Sequence, residues 1–170
     1  MLKRMKRRYT AELMYERIGE LSKRIPTAVY GADIMAGFPT ESEQACGDSI
    51  TMIERLGIAF PHVFSYSDRP GVPAERIPDQ VPHAIRKQRT RQLIEAGDRV
   101  RQKMYEQLVA KQYQATVLVE QQDKDHPHWS TGRTAEYLPI VIQSGAFKAG
   151  NLINVQITGI DGSRLIARPV

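Results

Sequence analysis

The first residues that could do chemistry lie in the run Gly37-Phe-Pro-Thr-Glu41. An apolar stretch precedes this run and a helical pattern follows it, which predicts a turn between a strand and a helix. Glycine lets a ligand approach the backbone, and the first turn of a helix offers free N–H groups to an anion. The pattern therefore predicts a small-molecule site at a strand end, with Glu41 supplying a carboxylate. The alternative is a structural turn in which Glu41 interacts with the helix dipole.

A second candidate, Arg69, lies in the turn-rich run Ser67-Asp-Arg-Pro-Gly71, directly after the next apolar stretch. The carboxyl ends of neighbouring parallel strands share one edge of a sheet, so Arg69 is predicted on the same rim as Glu41. A guanidinium there could bind a carboxylate or a phosphate. The alternative is a structural turn in which Arg69 pairs with Asp68 or Glu75.

The last sixty residues combine basic and aromatic side chains. Arg133 and Tyr137 lie four residues apart near a predicted strand start, and Lys148, Arg164 and Arg168 add positive charge. Such residues on a small β-barrel suit RNA, through base stacking and phosphate contacts. The alternative is a structural tyrosine with ordinary surface charge around it.

No metal centre is predicted, although His126-Pro-His128 lies close to Asp123 and Asp125. That segment resembles an exposed loop and offers no further ligand at a useful spacing. His62 falls in an apolar stretch and is predicted to be a hydrogen-bonded core histidine. Cys46, the single cysteine, lies on a helix's apolar stripe and is predicted to be buried and inert. One cysteine excludes an intramolecular disulfide and a cysteine-only cluster.

Helix, strand, helix and strand follow one another over residues 10–70, which predicts βα units of a parallel sheet. The strands, at 28–36 and 58–66, are nearly continuous apolar runs, as expected for strands covered on both faces. Two strands alone cannot form such a sheet stably, so either the fold is unusual or the remaining strands lie before Met1.

Capping patterns set the helix boundaries. Thr10 is a plausible N-cap for a first helix that Pro26 stops. Thr40-Glu-Ser-Glu43 is a capping-box pattern for the second helix, which should end at Gly57.

A third helix is predicted from Pro82 to about Ala110, with a narrow apolar stripe and basic flanks. After it the pattern becomes β-rich, which predicts a small antiparallel barrel and a domain boundary between residues 109 and 110. The predicted strands are 114–120, 137–142, 151–160 and 164–170.

The net charge of the 170 residues is +5, which favours an anionic partner such as nucleic acid. The basic residues concentrate in Lys3–Arg8 and Arg86–Lys103, and the alternative is a solvated helix face with acidic neighbours. No run approaches the roughly 20 apolar residues of a membrane span, and the N-terminus does not resemble a secretory signal. We therefore expect a cytoplasmic protein without a membrane partner.

Four longer motifs occur in a fixed order along the chain: Leu2-Lys-Arg-Met-Lys-Arg-Arg-Tyr-Thr10, Asp33-Ile-Met-Ala-Gly-Phe-Pro-Thr-Glu41, His62-Val-Phe-Ser-Tyr-Ser-Asp-Arg-Pro-Gly71 and Gly132-Arg-Thr-Ala-Glu-Tyr-Leu-Pro139. Together they resemble the tRNA methylthiotransferase family, whose members are radical S-adenosylmethionine enzymes. The resemblance covers essentially the whole chain.

The resemblance implies the C-terminal part of such an enzyme. Residues 1–109 would be the end of a partial (β/α) barrel with a closing helix, and residues 110–170 a TRAM domain, an OB-like barrel that binds tRNA. Full-length members use S-adenosylmethionine and [4Fe-4S] clusters. The residues implied at the cofactor cavity are Gly37, Glu41, Arg69, Arg7 and Met35, and those implied at the tRNA are Arg133, Tyr137, Lys148 and Arg164.

The resemblance also implies what this chain lacks. The Cys-x-x-x-Cys-x-x-Cys motif of the radical cluster is absent, and so are the three cysteines of the second cluster. We therefore expect that the chain alone does not cleave S-adenosylmethionine and that a missing N-terminal part would supply the clusters. Family members have glycine where this chain has Thr40 and threonine where it has Val72, which affects the local loop geometry.

The motifs around His62 and Glu136 favour the branch that methylthiolates C2 of threonylcarbamoyladenosine beside the anticodon. The isopentenyladenosine branch and the ribosomal-protein branch are the alternatives within the family. The alternative to an enzyme is a non-catalytic RNA-binding module.

Overall fold

The computed structural model describes residues 2–145 and 147–170, and these form two compact units. The first unit ends at Arg101 and combines helices with a small sheet, and the second is the β-rich segment Gln102–Val170. The predicted combination of an α/β part and an all-β part is confirmed. The division falls inside the third helix, whereas the barrel strands begin at Gln114, and the domain boundary at residues 109 and 110 stays a prediction.

The elements of the first unit follow the predicted order. They are α1 (Ala11–Arg24), β1 (Tyr30–Ala36), α2 (Glu43–Leu56), β2 (Ile58–Ser65), a short 3-10 turn (Pro73–Arg76) and α3 (His83–Ala110), which continues into the second unit. β1 and β2 pair in parallel.

The helix caps confirm one prediction and correct another. The Thr10 hydroxyl accepts the Leu13 N–H and caps α1 as predicted. The cap of α2 is Ser42, whose hydroxyl accepts the Ala45 N–H, and Thr40 lies two residues before it. A capping box beginning at Thr40 is therefore wrong, because the chain still turns there and the helix starts only at Glu43.

The two-stranded sheet is covered on one face. Its covered face packs against the helices in a core that includes Ile34 from β1, Ile53 from α2 and Leu93 from α3. The prediction that both strands are covered on both faces is wrong for this chain, since the other face is open.

The open face changes the assignment of His62. Asp33 and His62 are register partners there, and both side chains are exposed, with Nδ1 of His62 3.2 Å from Oδ1 of Asp33. Phe64, two residues further along β2, is also exposed. His62 is hydrogen-bonded, as predicted, but it is not a core histidine.

The described residues of the second unit contain five strands that close into a barrel in the order β3-β4-β5-β7-β6. The strands are β3 (Gln114–Gln122), β4 (Ser130–Thr134), β5 (Pro139–Ile142), β6 (Leu152–Asp161) and β7 (Arg164–Pro169). Residues at alternate positions, such as Val117 and Val119 in β3, fill its interior.

The sequence predicted an antiparallel barrel, and this prediction is wrong for one pair of strands. Strand direction alternates along the chain, so β5 and β7 run the same way, and these two strands pair in parallel. The sequence also failed to predict β4, and Tyr137 lies outside the strands. Within the described part of the chain, no helix is long and apolar enough to cross a membrane.

Candidate functional site

Gly37 is the first residue after β1, and its turn brings the chain against α3. Its φ is +74°, and a Cβ placed there would lie 2.4 Å from Cγ of Arg86. Only glycine avoids both the left-handed strain and this clash. The close approach that the sequence predicted is therefore made by the aliphatic stem of an arginine of the same chain.

The Glu41 carboxylate closes this turn by a hydrogen bond to its first residue, Gly37. Its Oε2 accepts the Gly37 N–H at 2.9 Å and an Nη1–H of Arg89 at 2.8 Å. The same Arg89 nitrogen donates to the Glu41 main-chain carbonyl at 2.8 Å, and both side chains are largely buried. The carboxylate thus positions the turn through a buried ion pair.

Arg86 anchors the end of the second strand in a similar way. Its buried guanidinium donates to the carbonyls of Val81 at 2.6 Å and Tyr66 at 3.1 Å. It also donates to the Asp68 carboxylate at 3.2 Å and lies 5.0 Å from the centroid of the Tyr66 ring. One α3 side chain therefore contacts Gly37 after β1 and the chain after β2.

Arg86 and Arg89 were not predicted as structural residues, because the sequence placed them in a basic cluster, either for an anionic partner or as a solvated helix face. They lie seven and four residues before the buried Leu93, a spacing that places them on the same helix face as that residue. The helical spacing from Leu93 therefore indicated that both arginines face the core, but their charge led to their assignment to the basic cluster.

Tyr66 is a third residue of this region that was not predicted from the sequence. Its ring meets that of Phe38 edge to face, with centroids 5.5 Å apart. Its hydroxyl is buried and has no hydrogen-bond partner among the described residues. A buried unpaired hydroxyl costs about 1–3 kcal/mol. This orphaned hydroxyl lies beside Arg86 at the strand end, where a bound group could accept its hydrogen bond.

Arg69 is exposed in the loop after β2. The two carboxylates predicted as structural partners are engaged elsewhere, since Asp68 binds Arg86 and Glu75 accepts the Gly71 N–H at 2.8 Å. Within residues 2–145 and 147–170, no ion pair involves Arg69. Its guanidinium is accessible to an anion.

The two other predicted cofactor residues are Met35 and Arg7. Met35 is on the open face of β1, opposite Phe64 in the register. Arg7 is exposed, and it is Arg4 whose Nη1 donates to the Thr40 hydroxyl. The structure thus joins Gly37 and Glu41 directly, while the hydrogen bonds of the described residues do not link Arg7, Met35 or Arg69 to them.

Thr40 has a conformation that suits glycine better. Its φ is +67°, in the left-handed region where a β-branched side chain is strained. Its N–H donates to the Asp79 carbonyl at 2.9 Å, which holds the turn in place. The main-chain geometry therefore agrees with the glycine expected here from the family resemblance.

The described residues do not fit an iron–sulfur cluster. They contain no group of three or more His, Cys, Asp and Glu side chains that could hold a metal ion. Cys46 is buried, as predicted, and burial raises the pKa of its thiol, as does the nearby Glu41 carboxylate to a smaller extent. A cluster ligand must be a thiolate, which this environment disfavours.

The best-defined contact at the barrel's candidate RNA surface joins Arg133 and Tyr137. The guanidinium carbon of Arg133 lies 4.5 Å from the centroid of the Tyr137 ring, and its Nε lies 3.4 Å from Oε1 of Glu120. Tyr137 has a φ of +68°, which turns its ring out of the barrel while Leu138 is buried. This stack presents an exposed aromatic face with a cation beside it.

Arg164 differs from the other predicted RNA residues because its charge is compensated. It donates to the carboxylates of Asp123 at 2.7 Å and Asp161 at 2.6 Å. The hydrogen bond from Arg164 lowers the pKa of Asp123, and the N–H groups of Asp125 and His126 add to this effect. These bonds fix the loop before β4, which contains Asp125, His126 and His128.

Lys148 is exposed in a turn closed by Asn151, whose Oδ1 accepts the Lys148 N–H at 3.1 Å. Arg133 and Arg164 line a shallow groove of about 270 Å³, together with Lys124. The structure thus brings two of the four predicted RNA residues to one groove.

The chain is similar to curated proteins that share one name, tRNA-2-methylthio-N(6)-dimethylallyladenosine synthase. It is 31% identical to the protein of Acetivibrio thermocellus over 94% of the chain and 33% of that protein. It is 32% identical to the protein of Chlorobaculum tepidum over 100% of the chain and 38% of that protein. For Finegoldia magna the identity is 30%, over 99% of the chain and 36% of the relative.

No protein-family model matches the chain. Its similarity to the curated relatives nevertheless runs through both compact units, and it spans about a third of their length. The chain therefore belongs to the tRNA methylthiotransferase family.

Proposed function

We propose that this chain is the C-terminal part of a tRNA methylthiotransferase. Its first unit would complete a partial radical S-adenosylmethionine barrel, and its second unit would be a TRAM domain that binds tRNA. The observation that carries the proposal is the match over nearly the whole chain to relatives named for this activity. The open sheet face agrees with it, because a larger barrel would cover that face.

The cofactor chemistry of the family sets a limit on what this chain contributes. When bound, S-adenosylmethionine and the [4Fe-4S] clusters supply the radical and sulfur chemistry of the modification. Since the described residues offer no cluster ligands, we assign both clusters to the missing N-terminal part of the enzyme.

We assign this chain one wall of the S-adenosylmethionine cavity. Met35 would pack against the cofactor, and the accessible guanidiniums of Arg69 and Arg7 would bind its carboxylate. Gly37 and Glu41 would position the turn, since Glu41 is fully engaged by Arg89. The orphaned hydroxyl of Tyr66 would donate to the cofactor or to the part of the barrel that covers it.

On the second unit, we assign tRNA contacts to Arg133, Tyr137 and Lys148. Their exposure and the Arg133–Tyr137 stack support this role. Arg164 would line the same groove but hold the neighbouring loop, because two carboxylates already balance its charge. The partner would be tRNA, and the setting the cytoplasm.

The relatives change the expected substrate. The sequence motifs favoured threonylcarbamoyladenosine, but the names of the relatives specify N(6)-dimethylallyladenosine, which is the isopentenyladenosine alternative. We therefore propose that the intact enzyme methylthiolates C2 of dimethylallyladenosine beside the anticodon.

A chimeric enzyme tests this proposal. The matching third of the Chlorobaculum tepidum relative is replaced by this chain, and the product is expressed in cells that lack their own enzyme. We expect 2-methylthio-dimethylallyladenosine in tRNA digests by mass spectrometry, and none when the chain is expressed alone. Formation of 5′-deoxyadenosine by the chain alone after cluster reconstitution would contradict the division of labour proposed above.

The second candidate function is a non-catalytic RNA-binding module. The observation that favours it is the single, buried cysteine. A chimera that binds tRNA with the relative's affinity but leaves it unmodified would favour this module over the enzyme.

A further inference from the structure

The second unit carries little of the chain's positive charge. Residues 102–170 contain seven basic and six acidic side chains, which gives a formal charge of +1, whereas residues 1–101 carry the remaining +4. Arg133 is partly neutralised by Glu120, and Arg164 fully by two aspartates. Phosphate attraction alone is therefore a weak basis for RNA binding by this unit.

The outer surface of the barrel instead carries a row of apolar side chains. Leu152 of β6 is the register partner of Leu118 of β3, which is the partner of Arg133 of β4, and Arg133 in turn is the partner of Pro139 of β5. Register partners of a sheet project from the same face, about 5 Å apart. The row continues into the exposed ring of Tyr137, which stacks on Arg133.

The leucines of this row are conspicuously exposed. Leu118 is 46% exposed, Leu152 is 69% exposed and Tyr137 is 70% exposed. The neighbouring outward positions are polar, with the Thr116 hydroxyl bonded to Asn154 at 2.8 Å. The apolar surface is therefore confined to one row across four adjacent strands, and the Arg133–Tyr137 pair lies within this row.

We propose that this row, formed by Leu118, Leu152, Arg133, Pro139 and Tyr137, is a stacking platform for two or three unpaired RNA bases. The proposal rests on the proposed tRNA-binding function and specifies its mode. Every nucleobase presents a flat apolar face, and sheet surfaces with exposed aromatic and Arg side chains bind splayed bases in this way. Duplex RNA hides these faces and would gain nothing from the row.

Charge complementarity favours RNA over a second copy of the chain as the occupant. The row contains the guanidinium of Arg133, and the exposed Lys148 bonds to Asn151, next to Leu152, so positive groups accompany the apolar surface. Two copies facing each other through this row would place like charges together. A strand of bases would meet the apolar row while its phosphates reach the two cations.

Binding of two fluorescent RNAs to the full chain tests the platform. One is an unstructured ten-nucleotide single strand, and the other is a duplex of the same length. We expect the single strand to bind at least about tenfold more tightly, since each base that stacks on an aromatic or apolar side chain adds to its affinity. The double variant Leu118→Gln/Leu152→Gln should lose about tenfold in single-strand affinity and nothing in duplex affinity, and Tyr137→Ala should lose a similar factor.

The salt dependence separates stacking from phosphate contacts. The slope of log affinity against log salt should be unchanged in the leucine and tyrosine variants, because no cation is removed. Lys148→Gln should reduce that slope by about 0.7 for the single strand. The matched control is Leu21→Gln, which removes a leucine of α1 that is 45% exposed, close to the 46% of Leu118, and it should leave both affinities unchanged.

Three outcomes would overturn the platform. One is equal binding of single strand and duplex by the wild type. Another is an unchanged single-strand affinity in variants whose circular dichroism is native. The third is a wild-type dimer in sedimentation that the leucine variant dissociates, which would assign the row to a second copy. In each of these cases tRNA binding can persist, whereas the absence of binding to any RNA, including tRNA, would refute the proposed function itself.

Discussion

The buried ion pair between Glu41 and Arg89 should contribute strongly to the stability of the strand-end turn. Glu41→Gln keeps an acceptor for the Gly37 N–H but leaves the Arg89 charge without its partner. Arg89→Met keeps an apolar stem but leaves the carboxylate and a main-chain carbonyl short of donors. Breaking a buried pair by removing one partner costs about 3–5 kcal/mol, so each single variant should fall near that range.

The magnitude follows from the geometry. At an N–O distance of 2.8 Å and an effective dielectric constant of about 20, the gross attraction is about 6 kcal/mol. The cost of removing both charges from water offsets part of this attraction. We expect a coupling free energy of about 2–4 kcal/mol between the two side chains, within the range measured for close charge pairs.

A double-mutant cycle measures this coupling. Urea unfolding of the wild type, both single variants and the double variant is followed by circular dichroism at a helical wavelength, which reports α1, α2 and α3. Trp129 is the single tryptophan and lies in the second unit, so its fluorescence reports the barrel separately. The fluorescence transition should shift less than the helical transition.

A matched control is available in the same unit. Glu54 and Arg99 form an ion pair at the same 2.8 Å distance, but their side chains are 46% and 57% exposed, against 6% and 12% for Glu41 and Arg89. The same substitutions there should give a coupling below about 1 kcal/mol. Equal couplings in the two cycles, or less than about 0.5 kcal/mol in the buried one, would refute the assignment.

Four further predictions follow from single residues. Gly37→Ala should destabilise the first unit by about 2–4 kcal/mol in urea unfolding, because it adds left-handed strain and a clash with Arg86; a loss below about 1 kcal/mol would contradict this. Thr40→Gly should instead stabilise it by about 0.5–1 kcal/mol, since it removes strain at a positive φ, and a destabilised variant would show that the Thr40 hydroxyl contact matters more. Tyr66→Phe should leave the stability of the chain equal or raise it by about 1 kcal/mol, yet lower the activity of the chimera, because only the intact enzyme would use the hydroxyl; unchanged activity would remove Tyr66 from the site. Asp123→Asn should make the stability of the barrel less dependent on pH in the acid range. The pKa of the Asp123 carboxyl is depressed in the folded state, so the carboxylate stabilises the barrel above the ordinary pKa of Asp, and this stabilisation is lost as the pH falls below about 4. If the melting temperatures of the wild type and of Asp123→Asn, followed by tryptophan fluorescence, depend on pH in the same way between pH 3 and 6, this reasoning is wrong.

The sequence determined the elements and most of their order. Helical spacing located α1, α2 and α3, capping residues located the start of α1 and the end of α2, and the apolar runs located β1 and β2, because these features are local. The four motifs also predicted the family, which the relatives confirm. Local patterns of this kind do not depend on which residues meet across the fold.

Tertiary structure alone decided how the charged side chains are used. The sequence placed Arg86 and Arg89 in a basic cluster for an anionic partner or on a solvated helix face, but the approach of the Gly37 turn buries them and pairs Arg89 with Glu41. His62 appeared to be a core residue, but within this chain its strand is covered on one face. Burial depends on which segments pack together, and no spacing along the chain encodes that.

The barrel shows the same division. The sequence predicted β-rich runs and selected the Arg133–Tyr137 combination, since composition and turn residues are local. Strand register, in contrast, aligned Leu118 with Leu152 and with Arg133, although these residues are up to 34 positions apart in the chain. Cross-strand neighbours are set by closure of the barrel, and for that physical reason the apolar row could be recognised only in the tertiary structure.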